Sequence, residues 1–278
     1  MSSQLLEIEN LRISFQTRTR LVEAVRGVSF SLGHERLGIV GESGSGKSQT
    51  GRAILGLTPS SGKVEAQKLS FDGIDLRRAS KGTWRKLRGK RISMVMQDPK
   101  FSLNPVIPVG HQLVEAYRAH SSVSRKEAER YAVQMLESVH IRDANRVFHS
   151  YSHELSGGMG QRAMIAMMLI TNPDLLIADE PTSALDVTIQ LEVLKILDEL
   201  VSDRGMGLIF ISHDLQLVST FCDRVVVMYA GKVVETVEAS KLNDAKHPYT
   251  QGLLGCLPQI QGNTHPLPVL QRESSWHV

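Results

Sequence analysis

The run Leu37-Gly38-Ile39-Val40 leads directly into Gly41-Glu42-Ser43-Gly44-Ser45-Gly46-Lys47-Ser48. The first four residues form a short apolar stretch, as a buried strand requires, and the next eight fit G-x-x-x-x-G-K-[ST] in full. A helix is expected from Lys47, which completes a strand–loop–helix unit. Glycines let such a loop turn tightly, so that several backbone N–H groups point at phosphate oxygens, and the helix adds its positive N-terminus. Lys47 can reach the β- and γ-phosphates of a nucleotide, and the Ser48 hydroxyl can bind Mg²⁺. A glycine-rich turn before a helix would share some of these residues, but it needs neither the apolar strand nor the complete motif.

Leu155-Ser156-Gly157-Gly158-Met159-Gly160-Gln161-Arg162 is a second glycine-bearing turn opening a helix, which is expected over Arg162 to Thr171 and stopped by Asn172-Pro173. After it, Leu175-Leu176-Ile177-Ala178 reads as a buried strand ending at Asp179-Glu180. An acid at that terminus can hold Mg²⁺, directly or through water. Glu180 is placed to polarise an attacking water as a general base. Two carboxylates in a solvated turn are common, but here a buried strand precedes them and Pro181-Thr182 follows. Gln97 ends the strand candidate Ile92 to Met96, where its amide could ligate Mg²⁺ or position water, or simply face solvent. His213, after the strand Leu208 to Ile211, could donate a hydrogen bond to a γ-phosphate or be structural.

Leu11, Ile13 and Phe15 alternate with polar residues, as do Val28, Phe30 and Leu32, which predicts an early antiparallel pair. Pro99, Pro105 and Pro108 change the texture, and from there to His153 helices dominate, for example Arg125 to Val139. A helix over Thr188 to Ser202 ends near Gly205, and Val225–Met228, Ala230-Gly231 and Val233-Val234 predict a hairpin. Strands alternating with helices indicate an α/β core with parallel strands.

The chain has 278 residues, 41% hydrophobic and 22% charged, with a net charge of +3. That balance favours neither nucleic acid nor an anionic surface. Eight basic residues lie between Arg77 and Arg91 with a single aromatic, Trp84, which suits a solvated face better than a nucleic-acid patch. Cys222 and Cys256 have no metal-binding spacing and fit a reducing compartment. No apolar run reaches the roughly 18 residues of a membrane span. Met164, Met167 and Met168 read as core filling.

The phosphate loop Gly41–Ser48, Gln97, Leu155-Ser156-Gly157-Gly158, Asp179-Glu180, Ser183-Ala184-Leu185-Asp186 and His213 occur in the order seen in ABC-transporter ATPases, which the chain resembles over about residues 5 to 260. The resemblance implies a P-loop NTPase (RecA-like) α/β core, about 1–98 and 156–240, with an antiparallel β layer. It also implies a helical subdomain insertion, about 99–155, and a loosely ordered tail over 261–278. It implies ATP contacts from Gly41 through Gln49 and an adenine-stacking role for Phe15, which could equally be an inward-facing strand aromatic. Gln97, Glu180 and His213 become catalytic, and Ser48, Gln97 and Asp179 become Mg²⁺ ligands. Ser156, Gly157, Gly158 and Gln161 become a signature acting on a partner's ATP, and Ser183–Asp186 a D-loop.

Gln97-Asp98-Pro99, Ser102-Leu103-Asn104-Pro105, Ser48-Gln49-Thr50 and His247-Pro248-Tyr249-Thr250 with Leu253-Leu254 resemble the dipeptide/oligopeptide/nickel import subfamily. That implies ATP-driven uptake of a peptide-like solute, or alternatively of nickel or a metal chelate, at the cytoplasmic face of a bacterial inner membrane. The partners implied are a second ATPase subunit, two transmembrane permease subunits docking near Gln97 to Pro108, and an extracytoplasmic solute-binding protein. No nucleic-acid partner is expected. A nucleic-acid ATPase of the superfamily wants a long coiled-coil insertion, which the proline-broken segment does not supply. Two departures stand out: Gly160 replaces the usual Arg, Gln or Lys, and His34 replaces a glycine before Glu35. Some oligopeptide-type members carry a cysteine-rich C-terminal segment; with only Cys256 there, no iron–sulfur cluster is expected.

Overall fold

The structure, a computed structural model, describes residues 4–96, 102–183 and 185–256. Gln97, Ala184 and the tail expected over 261–278 lie outside the described residues. The chain divides after Ala79 and after Leu208: the flanking parts form one compact unit and Ser80–Leu208 the other.

In the first unit, β1 (Leu6–Gln16) pairs antiparallel with β2 (Leu21–Leu32). Leu6, Ile8, Leu11 and Ile13 are buried, an alternation with one interruption between Ile8 and Leu11. The interruption is a bulge: the register slips between Ile8 and Leu11, where Asn10 takes a φ of 50°. The phosphate-loop strand β3 (Arg36–Val40) is buried from Leu37 onward. β1 also pairs with the short strands β4 (Gly62–Glu65) and β5 (Lys68–Phe71), and β6 (Ile74–Asp75) pairs with β5. α1 (Lys47–Ile54) follows the loop after β3.

The second unit contains α2 (Lys81–Leu87) and β7 (Ile92–Val95). The expected helical stretch follows as α3 (Val109–Arg118), α4 (Arg125–Ser138) and α5 (Ala144–His149). The signature helix α6 (Gly157–Leu169) starts five residues before its expected start, since Ser156 caps it: its hydroxyl accepts the Met159 N–H at 3.4 Å. Met164 is fully buried on this helix, with Met167 and Met168 half-buried. β8 (Leu175–Asp179) is wholly buried and pairs parallel with β7, Ile92 opposite Leu175. Asp174, just before β8, forms an ion pair with Arg91 at 2.6 Å. α7 (Val187–Arg204) closes on Gly205, left-handed at φ 58°. In the basic stretch, Arg77 pairs with Asp75 at 2.8 Å and the Arg88 guanidinium lies 4.6 Å from the Trp84 ring centroid.

β9 (Gly207–Ser212) returns the chain to the first unit. There β10 (Arg224–Tyr229) lies parallel to β3 and antiparallel to β11 (Lys232–Glu238). Their two-residue turn, Ala230-Gly231, has φ of 47° and 85°, both positive as a tight hairpin with matched strand twist requires. α8 (Leu215–Phe221) lies so close to β3 that a Cβ on Gly38 would stand 2.1 Å from Val218. Burial there pushes the Cys222 thiol up to about 12, which keeps it protonated at neutral pH. The described chain ends in α9 (Pro248–Gly255). Among the described residues no helix is long and apolar enough to cross a membrane.

Candidate functional site

The loop between β3 and α1 cannot tolerate side chains where its glycines fall. A Cβ on Gly41 would lie 2.1 Å from the Met228 carbonyl oxygen, and one on Gly46 2.5 Å from that of Ala24. Gly44 and Gly46 have φ of 82° and 98°. Ser45 is buried and its N–H donates to the Glu42 carbonyl at 3.2 Å, closing the turn. Lys47 is only 6% exposed, and its ammonium donates to the Gly41 and Glu42 carbonyls at 2.7 and 2.9 Å. No side chain caps α1, and no acidic residue stands in its first turn. A buried cation held by carbonyl dipoles beside an uncapped helix N-terminus fits a polyanion, which replaces those dipoles with full charge. Ser43 is exposed, as is Gly44, while Glu42, Ser48 and Gln49 are half-buried; the Gln49 Oε1 is buried with no hydrogen-bond partner among the described residues.

In the same unit, His213 is exposed at the end of β9 and shares a cavity of 500 Å³ with Gly41 and Glu42. Its neighbours fix the turn: Ser212 Oγ accepts the Asp214 N–H at 3.0 Å, and Asp214 caps α8 through the Leu217 N–H at 2.9 Å. Phe15 is half-buried. It stands across from Gly62 in the strand ladder, and a Cβ on Gly62 would lie 2.6 Å from its ring. The glycine therefore makes room for the ring, which is not enclosed in the core.

In the second unit, Asp179 is buried at the end of β8 and Glu180 is half-exposed beyond it. Glu180 has a φ of 47°, a left-handed conformation that costs a side-chain-bearing residue about 1 kcal/mol or more. Its carbonyl accepts the Ser183 N–H and hydroxyl at 3.3 and 3.2 Å. Leu185 is half-buried and its N–H donates to the Thr182 carbonyl, while Asp186 caps α7 by accepting the Ile189 N–H at 3.1 Å. The expected signature residues divide by environment. Ser156 and Gly157 are exposed, and a Cβ on Gly157 would meet nothing within 4 Å. Gly158 is needed for packing, since a Cβ there would lie 2.7 Å from Ile189. Gln161 is buried, and its amide donates to the Pro181 carbonyl, tying the signature helix to the turn that carries Glu180. Gly160 faces open space in a cavity of 570 Å³ that Ser156 and Gly157 also line.

Among the described residues no group of three or more His, Cys, Asp and Glu side chains is arranged to hold a metal ion. One participant escapes residue-by-residue reading: the hydroxyl of the fully buried Tyr249 accepts the Glu42 N–H at 3.1 Å. The motif His247-Pro248-Tyr249-Thr250 signals a subfamily without saying what its tyrosine touches.

Known proteins resemble this chain in sequence and in fold. The ABC transporter family model matches residues 25–183. The oligopeptide transport ATP-binding protein OppD of Bacillus subtilis is 46% identical over 264 residues, covering 94% of this chain and 74% of the relative. The glutathione import ATP-binding protein GsiA of Shigella flexneri is 45% identical over 267 residues, 93% of this chain but 43% of that relative, so the chain spans less than half of its length. A solved dimeric ATP-binding cassette in a post-hydrolysis state with ADP and phosphate superimposes with a TM-score of 0.74 at 25% identity, covering 84% of this chain and 98% of that one. The fold is thus the expected P-loop NTPase α/β fold, with parallel and antiparallel strands, and the activity is that of an ATPase. By the family model it matches over residues 25–183 and by its relatives, the chain belongs to the ABC transporter family.

Proposed function

We propose that this chain hydrolyses MgATP to drive import of a peptide-like solute, as one of two ATPase subunits at the cytoplasmic face of a bacterial inner membrane. Lys47 contacts the β- and γ-phosphates, the backbone from Gly41 to Gln49 cradles them, and Phe15 stacks on adenine. Ser48, Asp179 and Gln97 hold Mg²⁺, which when bound offsets charge on the phosphates. Glu180 takes a proton from the attacking water and His213 donates a hydrogen bond to the γ-phosphate. The observation that carries this reading is the buried Lys47 ammonium, held by the Gly41 and Glu42 carbonyls beside an uncapped helix start.

Ser156, Gly157 and Gly158 act on ATP held by the partner subunit, and Ser183, Ala184, Leu185 and Asp186 serve as the D-loop. In support, Gly157 is open on its outer side, and α7, just after these residues, exposes the apolar pair Val187 and Leu191 at 72% and 61%. Gln161 braces the signature from within its own chain. ATP must hold the closed pair more tightly than ADP for hydrolysis to reopen it. Two permease subunits and an extracytoplasmic binding protein complete the assembly. The peptide class follows from the oligopeptide and glutathione importers that this chain resembles.

The test is transport. The chain, its second ATPase subunit and the permease subunits are placed in proteoliposomes with the binding protein, and uptake of a labelled oligopeptide is followed. ATP-dependent accumulation is expected. Accumulation of nickel in its place would move the assignment to metal chelates, and no ATP-dependent uptake of either would refute the importer.

A further inference from the structure

We propose that Tyr249 is a positioning residue for the phosphate loop, clamping the Gly41–Glu42 peptide from α9; this rests on the reading of that loop as the ATP site. Two ends of one planar unit are held here. Lys47 donates to the Gly41 carbonyl at 2.7 Å, and the Tyr249 hydroxyl accepts the Glu42 N–H at 3.1 Å. The C=O and the N–H belong to the same peptide group, so fixing one fixes the plane of the other. Gly41 precedes this peptide, and with no Cβ it restrains rotation less than any other residue. Bound phosphate draws the Lys47 ammonium away from the carbonyl, and the tyrosine hydroxyl then keeps the peptide from turning.

The clamp is rigid because its own support is rigid. Tyr249 is fully buried, with its ring 4.4 Å from that of Tyr229 at 40°. Tyr229 ends β10 next to Met228, whose carbonyl stands against Gly41. The start of α9 is fastened from below. The Glu235 carboxylate accepts the N–H groups of Lys246 and His247 at 2.7 and 3.3 Å. His247 Nδ1 caps the helix by accepting the Tyr249 N–H at 3.2 Å, and Pro248 occupies the first turn, where a missing N–H costs nothing. In His247-Pro248-Tyr249 the histidine thereby caps the helix, the proline starts it and the tyrosine clamps the loop. The affinity of the loop for nucleotide is thus set in part by a helix whose clamping residue lies 207 positions away along the chain.

Tyr249→Phe removes the hydroxyl and keeps the ring stack, and Glu235→Ala loosens the helix start without touching the aromatic pair. Equilibrium binding of ATP and ADP to the full chain is measured well below its melting temperature, and KM and kcat for ATP are measured in the assembled transporter. Loss of one net hydrogen bond should raise Kd for both nucleotides about 2- to 10-fold in Tyr249→Phe. Glu235→Ala should change it in the same direction. KM should rise in parallel with kcat held within about twofold, the signature of lost ground-state positioning. Unchanged Kd and KM in Tyr249→Phe, with only a lower melting temperature, would show a merely structural tyrosine and overturn the proposal. Absence of nucleotide binding by the unmodified chain would overturn the ATP-site reading itself, and the two failures are thereby distinguishable.

Discussion

Glu180 holds a left-handed backbone, φ 47°, at the point where the buried strand β8 releases the chain. A glycine would sit there without strain, so the carboxylate is kept at a cost in stability. The surroundings over-determine the conformation: Pro181 follows, its carbonyl held by Gln161, and Ser183 turns back onto the Glu180 carbonyl. Strain at the residue proposed as general base fits a functional demand on its side chain. Glu180→Gly should therefore be more stable than Glu180→Ala by about 1 kcal/mol, because both lose the carboxylate and only alanine keeps the strain. Urea unfolding of the two variants measures this, and equal midpoints would contradict it.

At the scale of elements, the glycines of the signature helix α6 have opposite reasons to exist. Gly158→Ala drives a methyl into Ile189, where 2.7 Å is available, whereas Gly160→Ala meets open space. Gly160→Ala should raise the unfolding free energy by up to about 1 kcal/mol through helix propensity alone, while Gly158→Ala should lower it. Unfolding curves showing both changes with the same sign would refute the assignment. These glycines also explain where the sequence stops being legible. Three of them between Ser156 and Gln161 look like a loop, which places the expected helix start at Arg162 although the Ser156 cap marks the true one. β4, β5 and β6 are not separately recognisable, being four residues or fewer and too short to show alternation. β1, β3, β8 and the β10–β11 hairpin are legible because each carries an apolar pattern bounded by turn residues. The phosphate loop is legible because its parts are consecutive. The Tyr249 clamp is not, because no local pattern announces a contact between residues so far apart.

At the scale of the whole molecule, the proposed chemistry calls for a second subunit. Among the described residues, nothing packs on the outer side of Gly157, and Val187 and Leu191 are largely exposed. A dimeric relative of the same fold offers the arrangement in which they would acquire a packing role. On the proposed function turnover belongs to the assembly, and Glu180 is the group on which its chemistry is proposed to depend. The most direct measurement is ATP hydrolysis by the reconstituted transporter carrying Glu180→Gln, with nucleotide affinity measured alongside. Turnover should fall about 100-fold or more at the site this chain supplies, with Kd for ATP retained, since an amide keeps the shape but cannot accept the proton. Unaltered turnover at that site would contradict the account.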